Sequence, residues 1–180
     1  MRAGDEAGMS DRSQHLIDQY RRIHAEKPYG ASSEVMAGFV MREIDRLPEW
    51  PATILDYGCG RSRLVDWLAA ITGAEARRFD PAIPEFEAPP GPADLVICTD
   101  VLEHIPEEDV DGFLAGLRAL SERAYFNVST REAVEVLPSG ENANVTVRRP
   151  PWWRRRLLAH WPVARRAHSH DPTAATFVTW

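Results

Sequence analysis

The stretch Ile54-Leu55-Asp56-Tyr57-Gly58-Cys59-Gly60 sets a short apolar run against an acid and two closely spaced glycines. Ile54 and Leu55 suit a buried parallel strand. Asp56 stands where such a strand emerges, and Gly58 and Gly60 let the backbone turn tightly and approach a ligand. Leu64, Val65, Leu68 and Ile71 then recur on one face, which predicts a helix over 61–71. Strand, glycine turn and helix in that order make a cofactor cradle. Asp80 and Asp100 follow at the ends of two further strands, and three acids at one sheet edge favour a nucleoside ligand.

Outward from this unit the chain alternates strands with helices. Upstream, helical patterns cover 14–26, with Ile17, Tyr20 and Ile23 on one side, and then run from a cap at Ser32 or Ser33 towards Pro48. The breaker Lys27-Pro28-Tyr29-Gly30 separates them. Both helices can pack over the ligand site or against the sheet. Strands are expected at 53–57, 76–79, 94–99 and 123–128, with a helix over 107–120. The five prolines of Pro81 to Pro92 replace a helix and a third strand by an extended connection. A short strand at 144–147 and a proline-started helix over 152–160 come next. Segments 163–167 and 174–180 close the sheet as an antiparallel hairpin. The pattern is α/β, with residues 1–13 a disordered leader and 14–180 one domain.

Size and composition narrow the class. The 180 residues, 44% hydrophobic and 27% charged, suit one soluble core. No apolar run approaches the roughly 20 residues that cross a bilayer, and the polar first twelve residues lack a secretory h-region, so the cytoplasm is the expected location. Cys59 and Cys98 are read as reduced and without metal-ligand spacing, and no metal is expected. The net charge of −6 argues against general nucleic-acid binding. Against that stands a C-terminal third rich in arginine (Arg148, Arg149, Arg154, Arg155, Arg156), interleaved with Trp152, Trp153 and Trp161.

A dinucleotide fits the glycine turn poorly. Arg63 stands where G-x-G-x-x-G needs its third glycine, and no P-loop motif is present. Asp56 would repel a pyrophosphate but attract an ammonium group. A cationic, phosphate-free nucleoside fits better. Residues 54–60 resemble motif I of the class I S-adenosylmethionine-dependent methyltransferases. Asp80 resembles the acid that ends that family's second strand, and Asp94-Leu95-Val96-Ile97-Cys98-Thr99-Asp100-Val101-Leu102-Glu103-His104-Ile105 resembles its fourth-strand segment. The likeness covers roughly residues 50 to 130.

That resemblance implies a Rossmann-like, mostly parallel sheet with a C-terminal antiparallel hairpin and a compressed third-strand region. It also implies S-adenosyl-L-methionine as cofactor and S-adenosyl-L-homocysteine as product. By it, the backbone of Tyr57, Gly58, Cys59 and Gly60 supports the methionine part, and Asp56 acts near the amino group. Asp80, with Pro81 beside it, accepts from the ribose hydroxyls, while Asp100 and Val101 lie beside the cofactor. Ile83 or Phe86 could supply an apolar adenine wall.

On the acceptor side, His104 can take a proton near neutral pH and is the candidate base, or it shapes the loop. Asn127, Asn142 and Asn144 offer donors and acceptors, and Trp152 and Trp153 offer flat apolar area, as candidate substrate contacts. The reading is a methyltransferase for a small molecule, oxygen preferred over nitrogen. The alternatives are an RNA or nucleotide methyltransferase using the arginine–tryptophan region, and a non-catalytic S-adenosylmethionine-binding protein.

Overall fold

Strands buried on both faces must be apolar throughout, and Leu95–Thr99 (β3) is buried at every position. In the computed structural model, which describes residues 10–26 and 30–180, it lies near the middle of a six-stranded sheet. The others are β1 (Thr53–Tyr57), β2 (Glu75–Phe79), β4 (Ala124–Ser129), β5 (Arg165–Ala167) and β6 (Ala174–Val178). The order is β2-β1-β3-β4-β6-β5. Neighbours are parallel from β2 to β4, and β6 then runs antiparallel to both β4 and β5. This is the expected mostly parallel sheet with its C-terminal hairpin.

Helices cover both faces. On one, α4 (Val110–Leu120) and α5 (Pro150–His160) bury Leu114, Leu117, Trp153 and Leu157 against Phe126 and Phe177. On the other, α2 (Ala37–Ile44) and α3 (Leu64–Thr72) bury Val40, Ile44, Leu64 and Leu68 against Ile54 and Leu95. The first helix, α1 (Asp11–Glu26), stands apart from both layers, with Leu16 and Ile23 packed on Leu137 and Ala143.

Several expectations shift. The helix after the glycine turn starts at Leu64 rather than Arg61, because Ser62 Oγ accepts the Leu64 N–H at 3.0 Å and holds 61–63 as a turn. Ile71, counted on its inward stripe, is 56% exposed. Residues 32–36 wind as a 3₁₀ turn flanked by Ala31 without a side-chain cap, so the serine cap does not form, and Val35 faces outward. The Ser32 side chain lies outside the described residues, as do 1–9 of the expected leader and 27–29 of the breaker. Helix α1 begins at Asp11, inside the segment expected to be disordered.

Residues 81–92 contain turns only, so the third strand is missing as the prolines implied. The segment 144–147 is not a strand. Thr146 bonds instead to the Glu103 and Ile105 carbonyls, which tie it to the loop after β3. Among the described residues no helix is long and apolar enough to cross a membrane.

Candidate active site

Register brings the first two acids together. Tyr57 pairs with Phe79, so β1 and β2 end level and Asp80 follows at the same edge as the glycine turn. Gly58 and Cys59 donate their N–H groups to the Phe79 carbonyl at 2.7 and 3.1 Å, sealing the turn onto β2. Gly60 N–H donates to Asp80 Oδ2 at 2.8 Å, and Ala82 N–H to Asp80 Oδ1 at 2.8 Å. Asp80 therefore forms the turn before Pro81 and still keeps one lone pair on each oxygen for a ligand. The glycines are obligatory here. Gly58 has φ +76 and Gly60 φ +54; a β-carbon on Gly58 would stand 2.4 Å from Val101 Cγ2, and one on Gly60 would stand 2.6 Å from the Gly30 carbonyl oxygen.

Above this edge lies a cavity of about 830 Å³. Tyr57, Gly58, Cys59 and Gly60 line it, as do Asp80 and Pro81. Asp100, Val101 and His104 line it from the β3 side. Leu16, Ile17, Tyr20 and His24 of α1 form a further wall, and Gly112, Phe113 and Gly116 of α4 another. The α1 residues were missed from sequence. The stripe read there included Ile23, which packs away on Leu137, whereas the cavity face follows Ser13, Leu16, Tyr20 and His24 at spacings of three and four. Polar residues on that face were the overlooked signal.

Six expected contacts lie elsewhere. Asp56 is 1% exposed and sits in β1 beneath the turn, with Oδ2 lacking a hydrogen-bond partner among the described residues. Burial pushes its carboxyl up to about 7, against the pull of Arg78. Asn127 is buried in β4 and faces Asp100 rather than the cavity. Asn142 bonds both the N–H and the carbonyl of Ala133, and Asn144 the Arg131 carbonyl, so their amides hold a loop together. Trp153 is fully buried in the core. Trp152 packs edge-on against it, beneath the Arg156 and Arg148 guanidinium groups. Those arginines pair with Asp111 and Glu107. The adenine walls move too: Ile83 is fully buried and Phe86 sits under Arg78, whereas Phe79, Ala82 and Phe113 reach the cavity.

The loop after β3 concentrates strain and charge. Asp100 has φ +55, a left-handed conformation uncommon for a residue with a side chain. Asn127 Nδ2 donates to its Oδ1 at 3.0 Å, while Asn127 Oδ1 accepts from Thr176 at 2.9 Å. Glu103 accepts Ser129 N–H at 2.7 Å on Oε1, and its Oε2 is buried without a partner among the described residues. Burial, with Asp100 nearby, pushes the Glu103 carboxyl up to about 8.

His104 Nδ1 lies 2.8 Å from the Ala143 carbonyl oxygen. A carbonyl only accepts, so the neutral ring carries its proton on Nδ1 and its lone pair on Nε2. Burial holds His104 below the ordinary imidazole range, opposed by the Ala143 carbonyl and the Asp100 and Asp80 charges. Burial also raises the Cys59 thiol, so it is a poor nucleophile.

A doubly wound sheet of this order, with a glycine turn after its first strand and an acid at the end of its second, defines the class I methyltransferase fold. A family model described as methyltransferase domain matches residues 32–178. The chain belongs to this family of S-adenosylmethionine-dependent methyltransferases, and S-adenosylmethionine is its cofactor. Among solved structures it is similar to DhpI in a complex with SAM and HEP, at 16% identity and TM-score 0.65, covering 95% of this chain and 99% of that one. Mitomycin 7-O-methyltransferase MmcR matches at 15% identity and TM-score 0.65, covering 93% of this chain and 66% of that one. The 1,6-didemethyltoxoflavin-N1-methyltransferase of Burkholderia thailandensis matches at 15% identity and TM-score 0.57, covering 98% and 92%. No curated protein sequence matches.

Proposed function

We propose that the chain methylates a small-molecule acceptor, oxygen in preference to nitrogen, with His104 as general base. One observation carries this: a single cavity runs from the glycine turn and Asp80 to His104, and its 830 Å³ suits a cofactor and a small partner. The structurally similar mitomycin 7-O-methyltransferase and 1,6-didemethyltoxoflavin-N1-methyltransferase support the same class of acceptor.

The residues fit the cofactor. Asp56 lies beneath the turn and outside the cavity lining, so it acts near the ammonium group only through water, on its unpartnered Oδ2. The Tyr57–Gly60 backbone supports the methionine part, because the two glycines let the turn close against Val101 and Gly30 and line the cavity with main chain. Asp80 accepts from the ribose hydroxyls on its remaining lone pairs, with Pro81 beside it. Asp100, oriented by Asn127, and Val101 flank the cofactor on the acceptor side. When bound, S-adenosylmethionine supplies an electrophilic methyl group on a positively charged sulfur.

The protein then orients and deprotonates the acceptor. Enclosure beneath α1 holds it in line, and orientation alone is a large share of a two-reactant rate. His104 takes the acceptor's hydroxyl proton at Nε2. Its lowered pKa keeps that lone pair free at neutral pH, and Asp100 and Asp80 favour the imidazolium once formed. A single catalytic domain in the cytoplasm goes with this reading, on the two free, buried cysteines.

The test uses methyl-labelled cofactor and a metabolite extract, counting label in small-molecule products. His104→Gln is expected to lower turnover by about 10²-fold or more while S-adenosylhomocysteine affinity changes little. Equal losses in both would remove the base. Label appearing in RNA, or in nothing while the cofactor binds, would favour the two rival functions.

A further inference from the structure

Tyr20 and His104 converge on one backbone oxygen. Tyr20 Oη donates to the Ala143 carbonyl at 3.1 Å, and His104 Nδ1 donates to the same oxygen at 2.8 Å. Their rings meet with centroids 5.1 Å apart, tilted by 50°. One residue belongs to α1 and the other to the loop after β3, so this carbonyl joins the wall of the cavity to the candidate base.

The oxygen is a fixed point. Ala143 is fully buried, and its N–H donates to the Glu135 carbonyl at 3.2 Å. On one side, Asn142 is bonded at both ends of its amide to Ala133, at 3.0 and 2.9 Å. On the other, Asn144 donates its side chain to the Arg131 carbonyl at 2.8 Å and its N–H to Asn142 Oδ1 at 2.9 Å. Neither asparagine reaches the cavity; both set the position of the carbonyl between them. A carbonyl oxygen has two lone pairs, and here both are engaged. Moving either donor away leaves buried polar atoms short of a partner, at a cost in stability.

The other polar ties of α1 are weaker fixings for this region. Arg12 with Glu108 and Glu141, and Arg21 with Glu87, are exposed pairs of small energetic weight. The Ser10 and Ser13 hydroxyls hold the start of the helix to Asp109. Arg21 also donates to the Pro81 carbonyl at 2.9 Å and Arg61 to the His24 carbonyl at 3.3 Å, but Tyr20 is the tie to the His104 loop, and its ring covers His104 from the α1 side. From the sheet side the groups facing His104 are the Asp100 backbone and the Asp100 and Asp80 carboxylates.

We propose that Tyr20 is a positioning residue for His104: through the Ala143 carbonyl it couples the seating of α1 over the cavity to the Nδ1–H tautomer and ring orientation of the base. The inference rests on the reading of His104 as base. Asn142 and Asn144 act in the same device, as supports of the shared oxygen.

Histidine ring ¹⁵N spectra of the full chain saturated with S-adenosylhomocysteine test it, with the His104 signals identified by their loss in His104→Gln. In the native protein the ring carries its proton on Nδ1 and titrates below about 6.5. Tyr20→Phe keeps the ring and loses the donor; amide exchange along α1 should quicken about tenfold and an Nε2–H fraction of His104 should appear. Tyr20→Ala removes ring and donor, and His104 should then titrate higher than in the native protein, as a mixture of tautomers. A native tautomer and titration in both folded variants would overturn the coupling, whatever α1 does. Turnover is not the readout, so failure of the base itself, seen as activity surviving in His104→Gln, is a separate result.

Discussion

The two ends of the cavity are built in opposite ways. At the glycine turn, the polar contacts join segments close in sequence: Gly60 N–H and the Asp80 carboxylate are 20 residues apart. At His104 they join segments far apart, with Tyr20 and Ala143 separated by 123 residues. The first end is dictated by backbone geometry that only glycine tolerates, so its residues form a motif. The second depends on how a remote helix and a remote loop pack, and leaves little trace in local pattern. On the roles proposed for the two ends, cofactor recognition is therefore local and acceptor handling is global.

The largest effect that would break that contrast is expected at Gly60, where the glycine turn meets the chain leading from α1. Gly60 packs its backbone against Gly30, on the chain that leads from α1, and Arg61 N–H donates to the Gly30 carbonyl at 3.2 Å. Gly60→Ala places a methyl group 2.6 Å from that carbonyl oxygen at φ +54. It should weaken S-adenosylhomocysteine binding by about 100-fold and cost about 2–3 kcal/mol of stability, measured by calorimetry and thermal melts. Substitutions at Tyr20 should leave cofactor affinity near the native value, and a loss there as large as at Gly60 would erase the distinction.

A smaller effect sharpens it. Glu103 lies behind the acceptor end, its carboxyl raised from an ordinary 4.5 to about 8 by burial. The native state therefore holds this proton more tightly than the unfolded chain. Stability linked to it is fully present below pH 4.5 and is lost as pH rises through about 8. Glu103→Gln keeps an acceptor for Ser129 N–H and cannot ionise. Its unfolding free energy should exceed the native protein's by about 1 kcal/mol at pH 8, with the difference closing towards pH 5 in denaturant titrations. A constant offset across that range would mean that Glu103 is ionised in both states and that burial does not raise its carboxyl.

Sequence reading succeeded where short-range rules govern. The strand–turn–helix unit, the missing third strand and the antiparallel hairpin follow from apolar runs, paired glycines, prolines and β-branched residues. Cavity-lining Tyr57–Gly60, Asp80, Pro81, Asp100, Val101 and His104 were legible for the same reason. Asn127, Asn142 and Asn144 were misplaced because an amide's chemistry suits a ligand and a backbone equally well, and only tertiary contacts choose. Trp153 was misplaced because a tryptophan's area suits a core as well as a pocket; here it fills the core beneath α5. Asp56 looked like a surface acid at a strand end, but β1 carries it into the interior before the turn begins.

The central claim is that Asp80 receives the ribose of the cofactor at the sheet edge. Titration calorimetry of S-adenosylhomocysteine against its 2′-deoxy counterpart, on the native protein and on Asp80→Asn, tests it most directly. The native protein should prefer the hydroxylated ligand by about tenfold or more, as a hydrogen bond to a charged acceptor requires, and the substitution should shrink that preference. Equal affinity for both ligands in the native protein, or a preference that Asp80→Asn leaves intact, would contradict the account.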